Sequence, residues 1–96
     1  MINNIKKIPP RITFGSGLTT YEIPAGTPVT VWQQTLYNSK VYFCNLSVTG
    51  ATVKKISNYE FIVTYNTPGN YQLSLSVISS NKTISLESNI LNLTVV

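Results

Sequence analysis

Residues 61–77 constrain the fold of this chain more than any other segment, because two strand-like patterns meet there at a single turn. Aromatic and β-branched residues dominate before the turn, and apolar and polar side chains alternate with a period of two after it, as in half-buried β-strands. Pro68 and Gly69 form the turn, and Tyr71 follows just past the corner. Such a corner is typical of a Greek-key β-sandwich, in which the chain crosses from one sheet to the other.

The rest of the sequence extends this all-β prediction. Alternation and turn residues predict further strands at 19–23, 29–34, 41–49, 52–56, 83–86 and 90–96, the last two forming one strand broken near Ser88 and Asn89. No stretch has a sustained helical period. The 96 residues, of which 43% are hydrophobic, suffice for one domain with a small core. We therefore expect about seven antiparallel strands in two sheets.

Alternation also assigns the faces of the strands. The side chains predicted to face the core are Cys44, Leu46, Val48, Phe61, Val63, Tyr65, Tyr71, Leu73, Leu75, Val77, Leu91, Leu93 and Val95. Cys44 is therefore interpreted as a small buried hydrophobic residue and not as a nucleophile. Val29 and Val31 are predicted to face inward, which leaves Trp32 pointing outward. Trp32 is then either a packing residue covered by a loop or a surface anchor in an interface.

The N-terminal segment is predicted to be an extended arm. Pro9 and Pro10 stop any helix there, and Gly15-Ser16-Gly17 forms a flexible joint, so residues 1–14 have no strand to pair with. The expected division is a docking arm at 1–18 and a sandwich at 19–96. The candidate docking residues of the arm are Ile2, Ile5, Lys6, Lys7, Ile8, Arg11, Ile12 and Phe14.

The composition argues against most catalytic and metal chemistry. The chain contains no His and no Asp, which removes the commonest general base, the commonest metal ligand and the Ser-His-Asp triad. Glu22, Glu60 and Glu87 are predicted on different strands or strand ends, so we do not expect the paired carboxylates of a glycosidase. We expect a protein without enzymatic activity, with no catalytic residue, no cofactor and no metal.

The charge distribution favours a protein partner. The formal net charge is +4, and the three cations of the arm lack the interleaved aromatic residues that stack on nucleic-acid bases. Such an arm gives only weak, salt-dependent nucleic-acid binding. No run approaches the roughly 20 apolar residues of a membrane span, and the N-terminus lacks the apolar core of a signal peptide. We therefore expect neither nucleic acid nor membrane as a partner.

From about residue 21 onward the sequence resembles PKD-like and related bacterial immunoglobulin-like domains. The most specific match is Pro-Gly-x-Tyr-x-Leu-x-Leu-x-Val at 68–77, and the segments 24–31, 46–53 and 89–95 match as patterns. The resemblance implies an immunoglobulin-like Greek-key sandwich with Tyr71 at its structural corner. The Asp-Gly motif of true PKD domains is missing from this sequence. The resemblance therefore implies no calcium-binding or carbohydrate-binding role for the chain.

A single domain of this kind is also similar to small immunoglobulin-like accessory proteins of tailed-phage virions. That similarity implies an auxiliary (decoration) protein on the capsid surface, folded in the host cytoplasm and docked partly through its arm. Its partner would be the major capsid protein or another virion protein. The alternative is a tail or fibre accessory that binds host surface glycans, with Trp32, Tyr37 and Tyr42 as stacking surfaces.

Overall fold

The computed structural model describes residues 9–35 and 40–96; the candidate docking residues at positions 2 to 8 and Tyr37 lie outside this part of the chain. The strands are β1 (Ile12–Phe14), β2 (Thr20–Ile23), β3 (Val29–Gln33), β4 (Tyr42–Ser47), β5 (Ala51–Lys55), β6 (Glu60–Tyr65), β7 (Gly69–Ser79), β8 (Ser85–Glu87) and β9 (Leu91–Val95). No helix occurs within the described ranges. The all-β prediction is confirmed.

The strands form two sheets that pack face to face. Sheet 1 has the order β1-β3-β6-β5, and sheet 2 has the order β2-β9-β7-β4, with β8 also paired to β7. The prediction that all pairs are antiparallel is wrong at one edge, because β2 runs parallel to β9. The chain leaves β1 in sheet 1, turns, and joins sheet 2 as β2. Because no hairpin connects β2 to β9, the two strands are free to pair in parallel.

The core lies between the two inner faces, as alternation predicts. Val29 and Val31 are buried on β3 of sheet 1. The other predicted inward residues that are buried are Cys44, Phe61, Val63, Tyr65, Leu73, Leu75, Val77, Leu91, Leu93 and Val95. Leu46, Val48 and Tyr71 are half-buried and pack against this cluster. The period of two in the sequence therefore identified the core-facing side of each of these strands.

The first strand corrects the expected arm. β1 pairs antiparallel with β3, with Thr13 opposite Trp32, so the prediction that residues 1–14 have no strand to join is wrong for Ile12–Phe14. Ile12 and Phe14 are fully buried in the core. Their side chains therefore stabilise the sandwich and are not available to a docking partner. Three residues suffice here because burial of two large apolar side chains offsets the entropy of ordering them.

The predicted break in the last strand is present and links both sheets. β8 and β9 both pair with β7, and between them Ser88 exchanges hydrogen bonds with Leu75 on β7: its N–H donates to the Leu75 carbonyl, and its Oγ accepts the Leu75 N–H. The next residue, Asn89, turns toward sheet 1. Its Oδ1 accepts the N–H of Ile12 at 2.8 Å, and its Nδ2 donates to the Ile12 carbonyl at 2.9 Å.

Asn89 thus occupies both hydrogen-bonding groups that Ile12 directs away from β3. Replacing Asn89 with Ala should lower the free energy of unfolding by about 1–3 kcal/mol, because a half-buried N–H and carbonyl lose their partners. Chemical denaturation measures the change, with Asn45→Ala as the matched control, since Asn45 is exposed on β4. If both variants lose the same small amount, the Asn89 bridge contributes nothing specific to stability.

Candidate functional site

An apolar patch lies on the outer face of sheet 1 and centres on Trp32. Since Val31 and Gln33 are buried on β3, the Trp32 side chain points away from the core and is 39% exposed, as predicted. In the cross-strand register it sits between Thr13 and Glu60. An outward tryptophan with polar neighbours on both sides has the composition of an interface anchor with a polar rim.

Two isoleucines extend this patch across the sheet. Ile62 is half-buried on β6, two residues along from Glu60 on the same outer face, and pairs with Thr30 and Lys54 on the adjacent strands. Ile56 follows β5 in the same register, since its N–H donates to the Glu60 carbonyl at 3.0 Å, and it is 46% exposed. We call Trp32, Ile56 and Ile62, with Lys54 and Glu60 between and beside them, the Trp32 surface.

The chain enters the sandwich next to this surface. The Arg11 carbonyl accepts the N–H of Gln34 at 2.7 Å, and the Arg11 N–H donates to Thr35 Oγ1 at 3.2 Å, so the backbone before β1 continues alongside the end of β3. Arg11 is exposed there. Of the candidate docking residues that the structure describes, Arg11 therefore keeps an accessible side chain, whereas Ile12 and Phe14 do not.

The aromatic residues considered for glycan stacking do not share a surface. Trp32 lies on the outer face of sheet 1, whereas Tyr42 belongs to β4 of sheet 2 and packs against the core. Tyr37 lies outside the described residues. Trp32 and Tyr42 therefore do not form one stacking surface, because β3 and β4 belong to different sheets.

The corner between β6 and β7 has the geometry that its sequence predicts. The Tyr71 hydroxyl donates to the Thr67 carbonyl at 2.6 Å, and the Tyr71 ring stacks on Tyr65 with centroids 3.9 Å apart. A Cβ at Gly69 would lie 3.2 Å from the Tyr71 ring, so glycine allows the ring to approach the backbone after Pro68. Tyr71, predicted to face the core, is half-buried.

Replacing Tyr71 with Phe should lower the free energy of unfolding by about 1 kcal/mol, because the Thr67 carbonyl loses its donor. Tyr21→Phe is the control: Tyr21 is exposed, its ring contacts Phe14, and its hydroxyl makes no hydrogen bond to the described residues. Thermal or urea unfolding of both variants measures the difference. Equal stabilities would mean that water satisfies the Thr67 carbonyl equally well.

The hydroxyl of Tyr65, on which the Tyr71 ring stacks, differs from the Tyr71 hydroxyl in its hydrogen bonding. Tyr65 is buried, and its hydroxyl has no hydrogen-bond partner in the described part of the chain. Burial raises the pKa of the Tyr65 hydroxyl, and the neighbouring Tyr71 raises it further. Because the pKa is higher in the folded protein, ionisation of Tyr65 does not lower the free energy of unfolding below the ordinary tyrosine pKa. Above it, the free energy of unfolding falls as the pH rises through the raised pKa.

Replacing Tyr65 with Phe should raise the free energy of unfolding by about 1 kcal/mol at neutral pH, because an unsatisfied buried hydroxyl is removed. The same variant should lose part of the decline in stability at alkaline pH. Denaturation of the variant and the unmodified protein across neutral and alkaline pH tests both effects. A loss of stability at neutral pH as large as that expected for Tyr71→Phe would show that the Tyr65 hydroxyl is bonded.

The outer face of sheet 2 differs in chemistry from the Trp32 surface. A concavity of about 470 Å³ lies over β7 and β9, lined by Asn70, Gln72, Asn92 and Thr94 together with Tyr71 and Leu93. In the register, Asn70 faces Thr94 and Gln72 faces Asn92, so the four polar side chains form two cross-strand pairs. We call these four residues the amide surface. Sequence reasoning missed it, although Gln72 lies between Tyr71 and Leu73, which were predicted to face the core.

Groups suited to chemistry are dispersed over the described ranges. Glu22, Glu60 and Glu87 lie on β2, β6 and β8, and no cluster of three potential metal ligands occurs among the residues of 9–35 and 40–96. Cys44 is buried; burial raises the pKa of its thiol, and Lys55 opposes that shift.

Comparison with known proteins does not assign this chain to a family. No family model matches the chain, and no curated protein matches it either. None of the described segments forms a helix of sufficient length and apolar character to cross a membrane. The resemblance carried by residues 61–77 and the two outer surfaces are therefore the basis for a functional proposal.

Proposed function

We propose that this chain is a non-enzymatic, immunoglobulin-like binding module that attaches to a larger protein assembly through the Trp32 surface. The strand order supports the immunoglobulin-like part of this proposal. A constant-type immunoglobulin sandwich has sheets A-B-E-D and C-F-G, and β1-β3-β6-β5 and β4-β7-β9 follow the same order along the chain. The Tyr71 hydroxyl bond at the corner is a second point of agreement.

The exposed Trp32 carries the proposal that the chain binds protein. Tryptophan is the residue most enriched among binding hot spots, and Ile56 and Ile62 add apolar area around it. Lys54 and Glu60 place both signs of charge at the patch, which favours one orientation of a partner over others. Arg11 lies close by on the entering chain, so an N-terminal segment and the Trp32 surface can contact the same partner.

We propose that the assembly is a tailed-phage virion, with this chain as an auxiliary (decoration) protein on the capsid. The support is the resemblance of residues 61–77 to bacterial immunoglobulin-like domains, the similarity of a single domain of that kind to small virion accessory proteins, and the Trp32 surface on one outer face of the sandwich. A module of this shape can repeat over a lattice of identical shell subunits, because each copy needs only one patch and one arm.

Replacing Trp32 with Ala should weaken attachment to phage heads that lack this chain by at least about 2 kcal/mol, or roughly thirtyfold, because the central anchor is lost. Co-sedimentation of the purified chain with such heads measures the affinity. Phe43→Ala is the matched control, since Phe43 is a large exposed aromatic residue on the outer face of sheet 2.

A truncation separates the arm from the sandwich. Deleting residues 1–8 removes Ile2, Ile5, Lys6, Lys7 and Ile8 but retains β1, whereas deletion through residue 14 would also remove two core side chains. We expect the shorter deletion to unfold at the same temperature as the full chain and to bind heads more weakly. Normal binding by both the deletion and Trp32→Ala would overturn the proposed docking mode.

A further inference from the structure

We infer that the amide surface on sheet 2 is a binding site for a neutral saccharide, in addition to the docking role proposed for sheet 1. The site is the concavity of about 470 Å³ over β7 and β9. This volume lies within the range of small-molecule pockets, but the side chains that project into it are amides and a hydroxyl instead of apolar groups. Such a lining favours a ligand that is itself rich in hydroxyl groups.

Hydrogen bonds within the site fix how its polar groups are presented. Thr94 Oγ1 donates to Asn70 Oδ1 at 3.0 Å, and Gln72 Nε2 lies 3.5 Å from Asn92 Oδ1. The bond from Thr94 orients the Asn70 carboxamide, and Asn70 Nδ2, Asn92 Nδ2 and Gln72 Oε1 have no partners among the described residues. Two donors and an acceptor therefore face solvent from a rigid sheet, which lowers the entropy lost on binding.

The spacing of the two pairs suits a ligand with hydroxyl groups on opposite sides of a ring. Asn70 and Gln72 are two residues apart on β7, which places the pairs about 7 Å from each other along the strands. A single carboxamide can both donate and accept, so each pair can engage neighbouring hydroxyl groups. A sugar residue that lies across β7 and β9 can therefore contact both pairs at once.

Charge excludes the main competing ligand classes. All four side chains of the amide surface are neutral, and the nearest charged residue in the register is Glu22, which faces Thr94 from β2. The described lysines lie elsewhere: Lys54 and Lys55 are on sheet 1, Lys40 precedes β4, and Lys82 is in the turn between β7 and β8. A phosphate, a nucleic acid or an anionic polysaccharide would find no cation here to offset the loss of its hydration.

The two outer faces of a sandwich point in opposite directions, so the amide surface stays accessible when the Trp32 surface is docked. No aromatic side chain projects from β2, β9 or the first residues of β7 on this face, so a single site binds weakly. Many copies on one assembly would raise the overall affinity by their effective concentration. The saccharide site and the docking surface are therefore independent, and each can be tested without the other.

The direct test is an NMR titration of the ¹⁵N-labelled full chain with isomaltotriose, mannotriose and laminaritriose at millimolar concentrations. The side-chain NH₂ signals of Asn70, Gln72 and Asn92 report on the site itself. We expect these signals to shift saturably with at least one of the three sugars, while the indole N–H of Trp32 does not move. If none of the three sugars shifts them, or if only the Trp32 surface responds, the inference is wrong.

Variants assign the binding to specific groups. Gln72→Ala and Asn92→Ala should each lower the affinity for the sugar about tenfold or more, since each leaves ligand hydroxyl groups without a partner. Asn45→Ala, on the outer face of the same sheet, should bind normally and serves as the matched control. A heparin oligosaccharide is the anionic comparison. Larger shifts of the amide surface with heparin than with every neutral sugar would overturn the assignment of the ligand class.

Discussion

The crossing from β6 to β7 is the constraint on which the rest of the sandwich depends. β6 is the centre of sheet 1, where it pairs with β3 and β5, and β7 is the centre of sheet 2, where it pairs with β4, β8 and β9. The short corner between them therefore fixes the relative position of both sheets. Stacking of Tyr65 on Tyr71 ties the last residue of β6 to the start of β7, and Gly69 leaves room for that contact.

Side chains from the opposite sheet protect the free strand edges that this arrangement leaves. On β4, Lys55 Nζ donates to the Cys44 carbonyl at 2.7 Å, and Asn58 Nδ2 donates to the Tyr42 carbonyl at 3.3 Å. On β1, Asn89 takes both free groups of Ile12. Unpaired edges invite pairing with other chains, so these contacts both join the sheets and block aggregation.

Local patterns predicted the central strands well and the periphery poorly. Alternation in residues 61–77 identified β6, β7 and their buried faces, because the period of two in each strand is visible within a few residues. β1 was missed because its three residues lie between Pro9-Pro10 and Gly15-Ser16-Gly17, and only pairing with β3 orders them. The parallel partner of β2 is likewise determined by packing, since Tyr21 and Leu93 are brought together only in the folded chain.

The same contrast separates the two surfaces. Trp32 was predictable as an outward residue because Val29 and Val31 alternate before it on one strand, yet Ile56 and Ile62 join it only through the register of three strands. The amide surface combines residues from β7 and β9, and each pair is ordinary by itself in a chain rich in Asn, Ser and Thr.

The two outer faces have different compositions because each strand alternates independently. Once the core positions are apolar, the outward positions are free to carry any side chain that leaves the pleat intact. On sheet 1 those positions include Trp32 and Ile62, and on sheet 2 they include Asn70, Gln72 and Asn92. A substitution on either face therefore changes what that face can contact without changing the core. The two faces therefore offer different chemistry: an exposed tryptophan with isoleucines on sheet 1 and neutral amides on sheet 2.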